Sequence, residues 1–224
     1  MELCMQTGFR YSCLKYSDSL LALGNIRIGT LHDFRRVEHR AGISDQNEGM
    51  KRVSHYIAYA DDAVMHKKDF EAVRHMGVVN AATGVNLKFT DVTISRNFDT
   101  PDCFVHCISS VYSQKALEQF EGADSCVEIT DILGFYRRLT LTLNTHVPTM
   151  LLAIAEVNYK PRQEIWNGKD WGVHPALIKE LKFSEQREIR AIWQARPGQA
   201  IAPIVLNDHG LLPFLKRRSA PTKY

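Results

Sequence analysis

Apolar positions along this chain recur in short alternating runs more often than in long helical stripes, which predicts many brief strands interrupted by a few helices. Residues 8–13 are short and aromatic and predict a first strand, and Ile26-Arg27-Ile28 alternates as a second. Alternation predicts further strands over 53–59, 85–95, 103–109, 125–129, 151–159, 188–194 and 202–206. Along 85–95, Val85, Leu87 and Phe89 share one face, and Val92 and Ile94 follow after a shift of register. In 103–109, Cys103 and Cys107 point to one face and His106 to the other, because side chains alternate along a strand. The run 151–159 reads as a buried strand.

Helical spacing is confined to five places. Residues 17–23 place Leu20, Leu21 and Leu23 behind Ser17 or Asp18 as N-cap and stop at Gly24. Phe70, Val73 and Met76 define a helix over 69–76, and Ser113 caps one over 113–120. Thr130 or Asp131 caps a helix running to about residue 145, with Leu133, Tyr136, Leu139 and Leu143 as its apolar stripe. Pro175 at a first turn opens a helix over 175–181. The polar stretch 30–49, with three arginines and little periodicity, predicts a long structured loop. Short strands mixed with short helices, without regular strand–helix alternation, predict an α+β fold rather than a doubly wound one.

Composition fits that picture. The chain has 224 residues, 45% of them apolar and 24% charged, with a formal charge of +3, which excludes disordered and fibrous classes. All eight prolines lie after position 100 and all three tryptophans after 165, yet no long Ser/Gly/Pro linker marks a boundary. The expectation is one domain over 1–224 with surface insertions and a basic tail at 215–224. The longest apolar run, 150–155, is far short of the roughly 20 residues of a bilayer span. No secretory signal is visible, and five scattered cysteines read as reduced thiols, so a cytoplasmic location is expected.

Missing motifs narrow the chemistry. Neither a dinucleotide-binding G-x-G-x-x-G after a strand nor a P-loop occurs, and Gly-x-Ser-x-Gly and His-Glu-x-x-His are also absent. Cys103 and Cys107 lack the second pair that a zinc site needs, so they read as core and no metal is expected. The most informative stretch is Lys182-Phe183-Ser184-Glu185-Gln186-Arg187-Glu188-Ile189-Arg190-Ala191-Ile192-Trp193. As a strand it places Gln186, Glu188 and Arg190 on one face and Ile189, Ala191 and Trp193 on the other. Two readings fit: a solvated polar face, or a carboxylate at the mouth of a cleft with an amide two residues earlier.

Gln186-Arg187-Glu188 resembles the Gln-x-Glu signature of the ADP-ribosyltransferase fold, in which a first-strand Arg or His, a central-strand Ser and a later Glu converge in that chain order. Arg10, Ser109 and Glu188 meet that order. The wider chain is similar to a family of bacterial proteins from phage-defence and toxin loci. The similarity lies in Phe9-Arg10-Tyr11, in Gly24-x-Ile26-Arg27 with Phe34-Arg35-x-x-Glu38 and Asp45-x-x-Glu48-Gly49, in the Cys107-Ile108-Ser109 strand, and in Phe183-x-x-Gln186-x-Glu188-x-Arg190. The segment Cys107-Ile108-Ser109 departs from the better-known Ser-Thr-Ser.

The resemblance implies a split β core, NAD as substrate held in a cleft without a glycine-rich loop, and transfer of ADP-ribose through an oxocarbenium-like sugar. It implies that Glu188 holds a ribose hydroxyl and that Gln186 orients the nucleophile. Ser109 would orient Glu188 or the cofactor, one of Arg10, Tyr11 or His32 would hold the cofactor, and Arg35 or Arg36 would contact its phosphates. Asp45, Glu48 and Arg190 would face the substrate, and the loop around 35–49 would act as a lid. Read without the resemblance, that loop is solvated, Arg10 is a surface arginine and Ser109 a core hydroxyl. The acceptor is expected to be nucleic acid (RNA or DNA) ahead of protein. Lys51-Arg52, Lys67-Lys68, Arg137-Arg138 and Lys216-Arg217-Arg218 would track phosphate, and Trp166 or Trp171 would stack a base. The resemblance also implies a toxin with a cognate antitoxin. The rival class is a non-catalytic antitoxin, sensor or nucleic-acid-binding module of the same fold, and a metal-dependent nuclease using Asp45, Glu48 and Glu188 is a third.

Overall fold

Two strands that share one edge of a central neighbour, one at each end of it, and splay apart beyond those contacts open a cavity in this molecule. The computed structural model of the chain describes residues 7–36, 44–61, 66–78 and 88–221. Strand β1 (Gly8–Ser12) leads through helix α1 (Leu14–Leu23) to β2 (Asn25–Thr30), then a 3-10 turn (Asp33–Arg35) and β3 (Met50–Asp61). Helix α2 (Lys67–His75), β4 (Lys88–Asp99), β5 (Phe104–Ser109), helix α3 (Gln114–Glu118), β6 (Ser125–Ile129) and helix α4 (Ile132–Asn144) follow. The last part runs β7 (Thr149–Glu156), β8 (Asn158–Tyr159), β9 (Gln163–Ile165), β10 (Ile178–Lys179), β11 (Glu188–Ala195), β12 (Ile204–Asn207) and β13 (Leu215–Arg218). The fold is α+β and a single domain, with few helices. No described helix is long and apolar enough to cross a membrane.

β5 is the hub of the eight-stranded sheet. Along one side it pairs with β11, from Glu188↔Ser109 to Trp193↔Phe104, and β11 pairs in turn with β7. Its other side is shared. β2 pairs with its beginning (Thr30↔Phe104, Gly29↔Val105) and carries β12, while β1 pairs with its end (Phe9↔Ser109) and carries β6 and β13. β1 and β2 therefore diverge from β5 and are joined only through α1. Gly24 ends that helix in the left-handed conformation (φ +66), and its N–H bonds back to the Leu20 carbonyl. A Cβ there would overlap the Asp208 carbonyl, so glycine is required twice over.

One face of the sheet packs on α1 and α4. Leu20, Ile26, Ile28, Phe104, Phe135, Tyr136, Leu139 and Trp193 form this core, each fully or almost fully buried. A fully buried Phe or Leu contributes about 1.5–3 kcal/mol, so this cluster dominates the fold's stability. A second sheet, β4–β3–β9, packs with α2 around Val53, Ile57, Val73, Ile94 and Trp166.

Several expectations need correction. The N-cap of α1 is Cys13, not Ser17 or Asp18; Ser17 is buried in the helix and bonds the hydroxyls of Ser12 and Ser125. On α4 the stripe rotates, because Ile132 and Phe135 enter the core while Leu133 is exposed. The supposedly buried strand 151–159 is an edge with Met150 and Leu152 exposed, and Val157 divides it into β7 and β8. Residues 175–181 form one 3-10 turn (Pro175–Leu177) followed by β10. Of the basic tail, 215–218 is β13, paired with β6, and 222–224 lies outside the described residues. So do 85–87 and 37–43, which include Glu38. The change of face on β4 falls at Asp91 (φ +52), while Val92 and Thr90 on either side keep the same pairing register with β3. Ser113 and Asp131 cap α3 and α4 as expected, accepting from the N–H of Ala116 and Gly134.

Candidate functional site

The parting of β1 and β2 opens a cavity of about 750 Å³, within the size range of small-molecule and cofactor sites. Six of the ten residues singled out from the sequence line it: Arg10, Tyr11, Glu48, Ser109, Glu188 and Arg190. Strand alternation sorts them. Cys107, Ser109, Glu188 and Arg190 share one face of the sheet, since Arg190 pairs with Cys107 and Glu188 with Ser109. Arg10 and His106 project to the other face, toward Tyr136 of α4. The gap between the strands gives both groups access to the same cavity.

Glu188 is 5% exposed and its carboxylate is shared between two cations. Lys179 Nζ donates to Oε2 at 2.9 Å, and Arg190 Nε donates to Oε1. Arg190 extends the chain of charge, donating to both oxygens of Glu48 at 2.7 and 3.0 Å and to the Ala176 carbonyl at 2.6 Å. Arg162 stands 3.9 Å from Glu48 and bonds Asp45 at 2.6 Å. Asp45, Arg162, Glu48, Arg190, Glu188 and Lys179 thus alternate in sign through the interior, with three charges of each kind.

Burial alone would raise the Glu188 pKa, but the positive charges of Arg190 and Lys179 outweigh it and hold the carboxyl well below its usual range. Burial and the neighbouring Glu188 push the Cys107 thiol well up, so it stays protonated and packs against that carboxylate. A carboxylate offers about four lone-pair positions. Lys179 and Arg190 take one position on each oxygen, and the Cys107 thiol lies nearby, so a ligand hydroxyl can still be accepted.

Gln186 reaches this network by a different route from the one the alternation predicts. It ends a 3-10 helix (Leu181–Gln186), and the strand starts only at Glu188. Arg187 between them is left-handed (φ +45), an unfavourable conformation for a side-chain-bearing residue. That turn brings Gln186 Oε1 within 2.7 Å of Lys179 Nζ, so one ammonium holds both the amide and the carboxylate. Tyr159 supports the turn, accepting from the Glu188 N–H at 2.7 Å.

The remaining candidates are engaged elsewhere. His32 Nε2 contacts the Thr100 carbonyl at 2.9 Å and lies outside the cavity lining. Arg35 donates to the Glu48 carbonyl and to Asp99, so it braces the backbone behind Glu48 rather than facing the cavity. Asp45 is consumed by Arg162. Tyr11 lines the cavity, but its hydroxyl donates to the Val111 carbonyl and accepts from the Ser113 N–H. Ser109 Oγ is tied to the Val111 backbone at 3.2 Å.

Arg10 stands apart. It bonds Ser12 Oγ at 3.1 Å and has no carboxylate partner among the described residues, although burial lowers its pKa. Sequence reasoning missed Lys179, Arg162 and His106. Lys179 comes from a two-residue strand and carries no local signal.

The basic clusters are committed in part, with Arg137 and Lys216 among the residues left exposed. Lys51 is buried and donates to the carbonyls of Trp171 and Val173. Arg138 pairs with Asp208, Arg217 with Asp18 and Arg218 with Glu128. Trp166 is buried in the second core, and Trp171 is half-buried against His75, Phe98 and Arg96, so neither offers an open face to a base. Arg52, Lys67, Lys68 and Arg74 remain exposed around α2 and β3. No known protein-family model, curated protein or solved structure matches the chain.

Proposed function

We propose that the chain transfers ADP-ribose from NAD to a macromolecular acceptor, with RNA or DNA as the favoured acceptor and protein as the alternative. One observation carries the reading. An ionised carboxylate, Glu188, is fixed opposite Ser109 on the wall of a cavity whose other wall presents Arg10, which has no counter-ion among the described residues. The arrangement suits a dinucleotide: Arg10 takes a phosphate oxygen, and the free lone pair of Glu188 takes a ribose hydroxyl. In the reaction the glycosidic C–N bond breaks and nicotinamide leaves with the electron pair. An acceptor atom bonds to the sugar carbon and releases its proton. Positive charge grows on the sugar meanwhile, and a preorganised anion stabilises it without reorganisation. Gln186 is fully buried on the same lysine and does not line the cavity, so its part in orienting the acceptor would run through Lys179. The exposed cations around α2 and β3 support an anionic acceptor, and a cellular role as a toxin goes with this activity.

A second reading has its own support. Lys179 and Arg190 neutralise Glu188, and Glu48 closes the pattern, so the field at the sugar is weaker than that of a lone carboxylate. That favours a non-catalytic module of the same fold that binds a nucleotide without cleaving it. The experiment is incubation with adenylate-labelled NAD, following nicotinamide release and label on RNA, DNA and polypeptide. Turnover abolished by Glu188→Gln supports the transferase. Saturable NAD binding without nicotinamide release supports the module, and label on polypeptide alone overturns the nucleic-acid acceptor.

A further inference from the structure

We propose that His106 joins Arg10 in an oxyanion subsite on the α4 side of the cavity, with its Nε2–H donating to a phosphate oxygen and Tyr136 fixing the imidazole in that tautomer. The inference deepens the proposed function but rests on it only for the identity of the ligand.

His106 lines the cavity yet is only 4% exposed, and it lies on the same face of the sheet as Arg10. Its Nδ1 lies 3.2 Å from the hydroxyl of Tyr136, a fully buried side chain whose phenol burial keeps protonated. Burial, helped by the charge of Arg10, pushes the His106 pKa down to about 3, so the ring is neutral near pH 7 and carries one proton. No other acceptor meets the Tyr136 hydroxyl among the described residues. The hydroxyl therefore donates to Nδ1, and the single ring proton resides on Nε2.

The consequence is a pair of donors, Arg10 and His106, with no acid between them. The buried acids of the cavity, Glu48 and Glu188, are matched by Arg190 and Lys179 across the sheet. A half-buried guanidinium and a neutral imidazole donor on the same face of the sheet and lining one cavity are completed by an anion that accepts from both. A buried histidine serving only as core would instead direct its second nitrogen to a protein partner.

The test uses full-length protein labelled with ¹⁵N and inorganic pyrophosphate as the probe. Long-range ¹H–¹⁵N spectra of His106 should show the Nε2–H tautomer, and its Nε2 resonance should move saturably as pyrophosphate is added. Tyr136→Phe should mix the tautomers and weaken binding. His106→Leu should weaken it by about tenfold or more, the worth of one charge-assisted hydrogen bond. An Nδ1–H tautomer in the native protein overturns the proposal, as does a His106 resonance that stays still while pyrophosphate saturates the protein, or an absence of pyrophosphate binding. The wild-type spectra decide the matter even if a variant fails to fold. A responsive His106 in a protein that never releases nicotinamide from NAD would leave the subsite standing and remove the transferase reading alone.

Discussion

Replacing Arg190 by methionine tests whether the buried charges act as one unit. The side chain is 1% exposed and makes four hydrogen bonds, one to Glu188, two to Glu48 and one to the Ala176 carbonyl. At about 1.5–3 kcal/mol for each bond to a charged group, the loss would exceed about 6 kcal/mol if nothing compensated. Compensation is available, because Lys179 stays on Glu188 and Arg162 remains 3.9 Å from Glu48. The expected cost is therefore that of one broken buried pair, about 3–5 kcal/mol. Urea unfolding at neutral pH should report it as a lowered midpoint with an unchanged slope. Thermal unfolding should fall by about 6–20 °C for a chain of this size. Adding Glu48→Leu should return more than about 1 kcal/mol relative to additivity, since it removes the carboxylate left unpaired. If Arg190→Met unfolds within about 1 kcal/mol of the native protein, the six charges are hydrated and independent, and the argument from burial fails.

Other outcomes follow from the same geometry. The Glu188 carboxyl is held below its unfolded value of 4.5, so its contribution to stability is complete above that value and is lost as pH falls through the folded pKa. The urea midpoint should begin to drop as pH falls below about 5 and keep dropping toward the folded pKa, and in Glu188→Gln this part of the drop should be absent. Because that variant also strips a partner from Lys179 and Arg190, it should lower stability at pH 7, and its activity is to be read well below its melting temperature. Gly24→Ala should cost more than about 1 kcal/mol in thermal unfolding, through the left-handed backbone and the overlap with Asp208, and an unchanged melting temperature would contradict the capping role. Arg187→Gly should stabilise by about 1 kcal/mol by relieving the left-handed conformation at an exposed side chain, and a loss of stability would show that the arginine makes a contact worth more than the strain.

What could be read from the sequence depended on how local the cause was. β6 coincides with 125–129, and the caps at Ser113 and Asp131 were readable, because alternation and an N-cap oxygen act within a few residues. The burial of 151–159 was misread because the number of neighbours a strand has is set by the sheet. β7 carries Met150 and Leu152 yet pairs only with β11 among the described residues. The basic segment 216–218 has no apolar pattern at all, and backbone pairing with β6 makes it a strand. The site divides the same way. Glu188 and Arg190, two residues apart on one strand, were legible as a pair. Their partners Glu48 and Lys179, and Arg162 beyond Glu48, come from a turn, a two-residue strand and a loop, and only the tertiary fold assembles them.

The convergence of Gln186 and Glu188 was anticipated for a reason that does not hold, and the actual reason bears on chemistry. Had both residues stood on a regular strand, each side chain would be free to move with its own rotamers. Instead Arg187 reverses the backbone, and a single ammonium on Lys179 donates to both. Lys179 thereby sets where the carboxylate sits and also subtracts from its charge. A transferase built on this site must draw its effect from position and from a free lone pair on Glu188 more than from net charge, because the surrounding charges cancel. Within the transferase reading, this separates two limits quantitatively. Lys179→Met frees Glu188 of one cation and at the same time unfastens it. If net charge limits the reaction, nicotinamide release per folded molecule should rise. If position limits it, release should fall by at least about tenfold, the scale that a misplaced catalytic group costs. The fall is expected, with pyrophosphate still bound, since Arg10 and His106 lie on the other face of the sheet from Lys179.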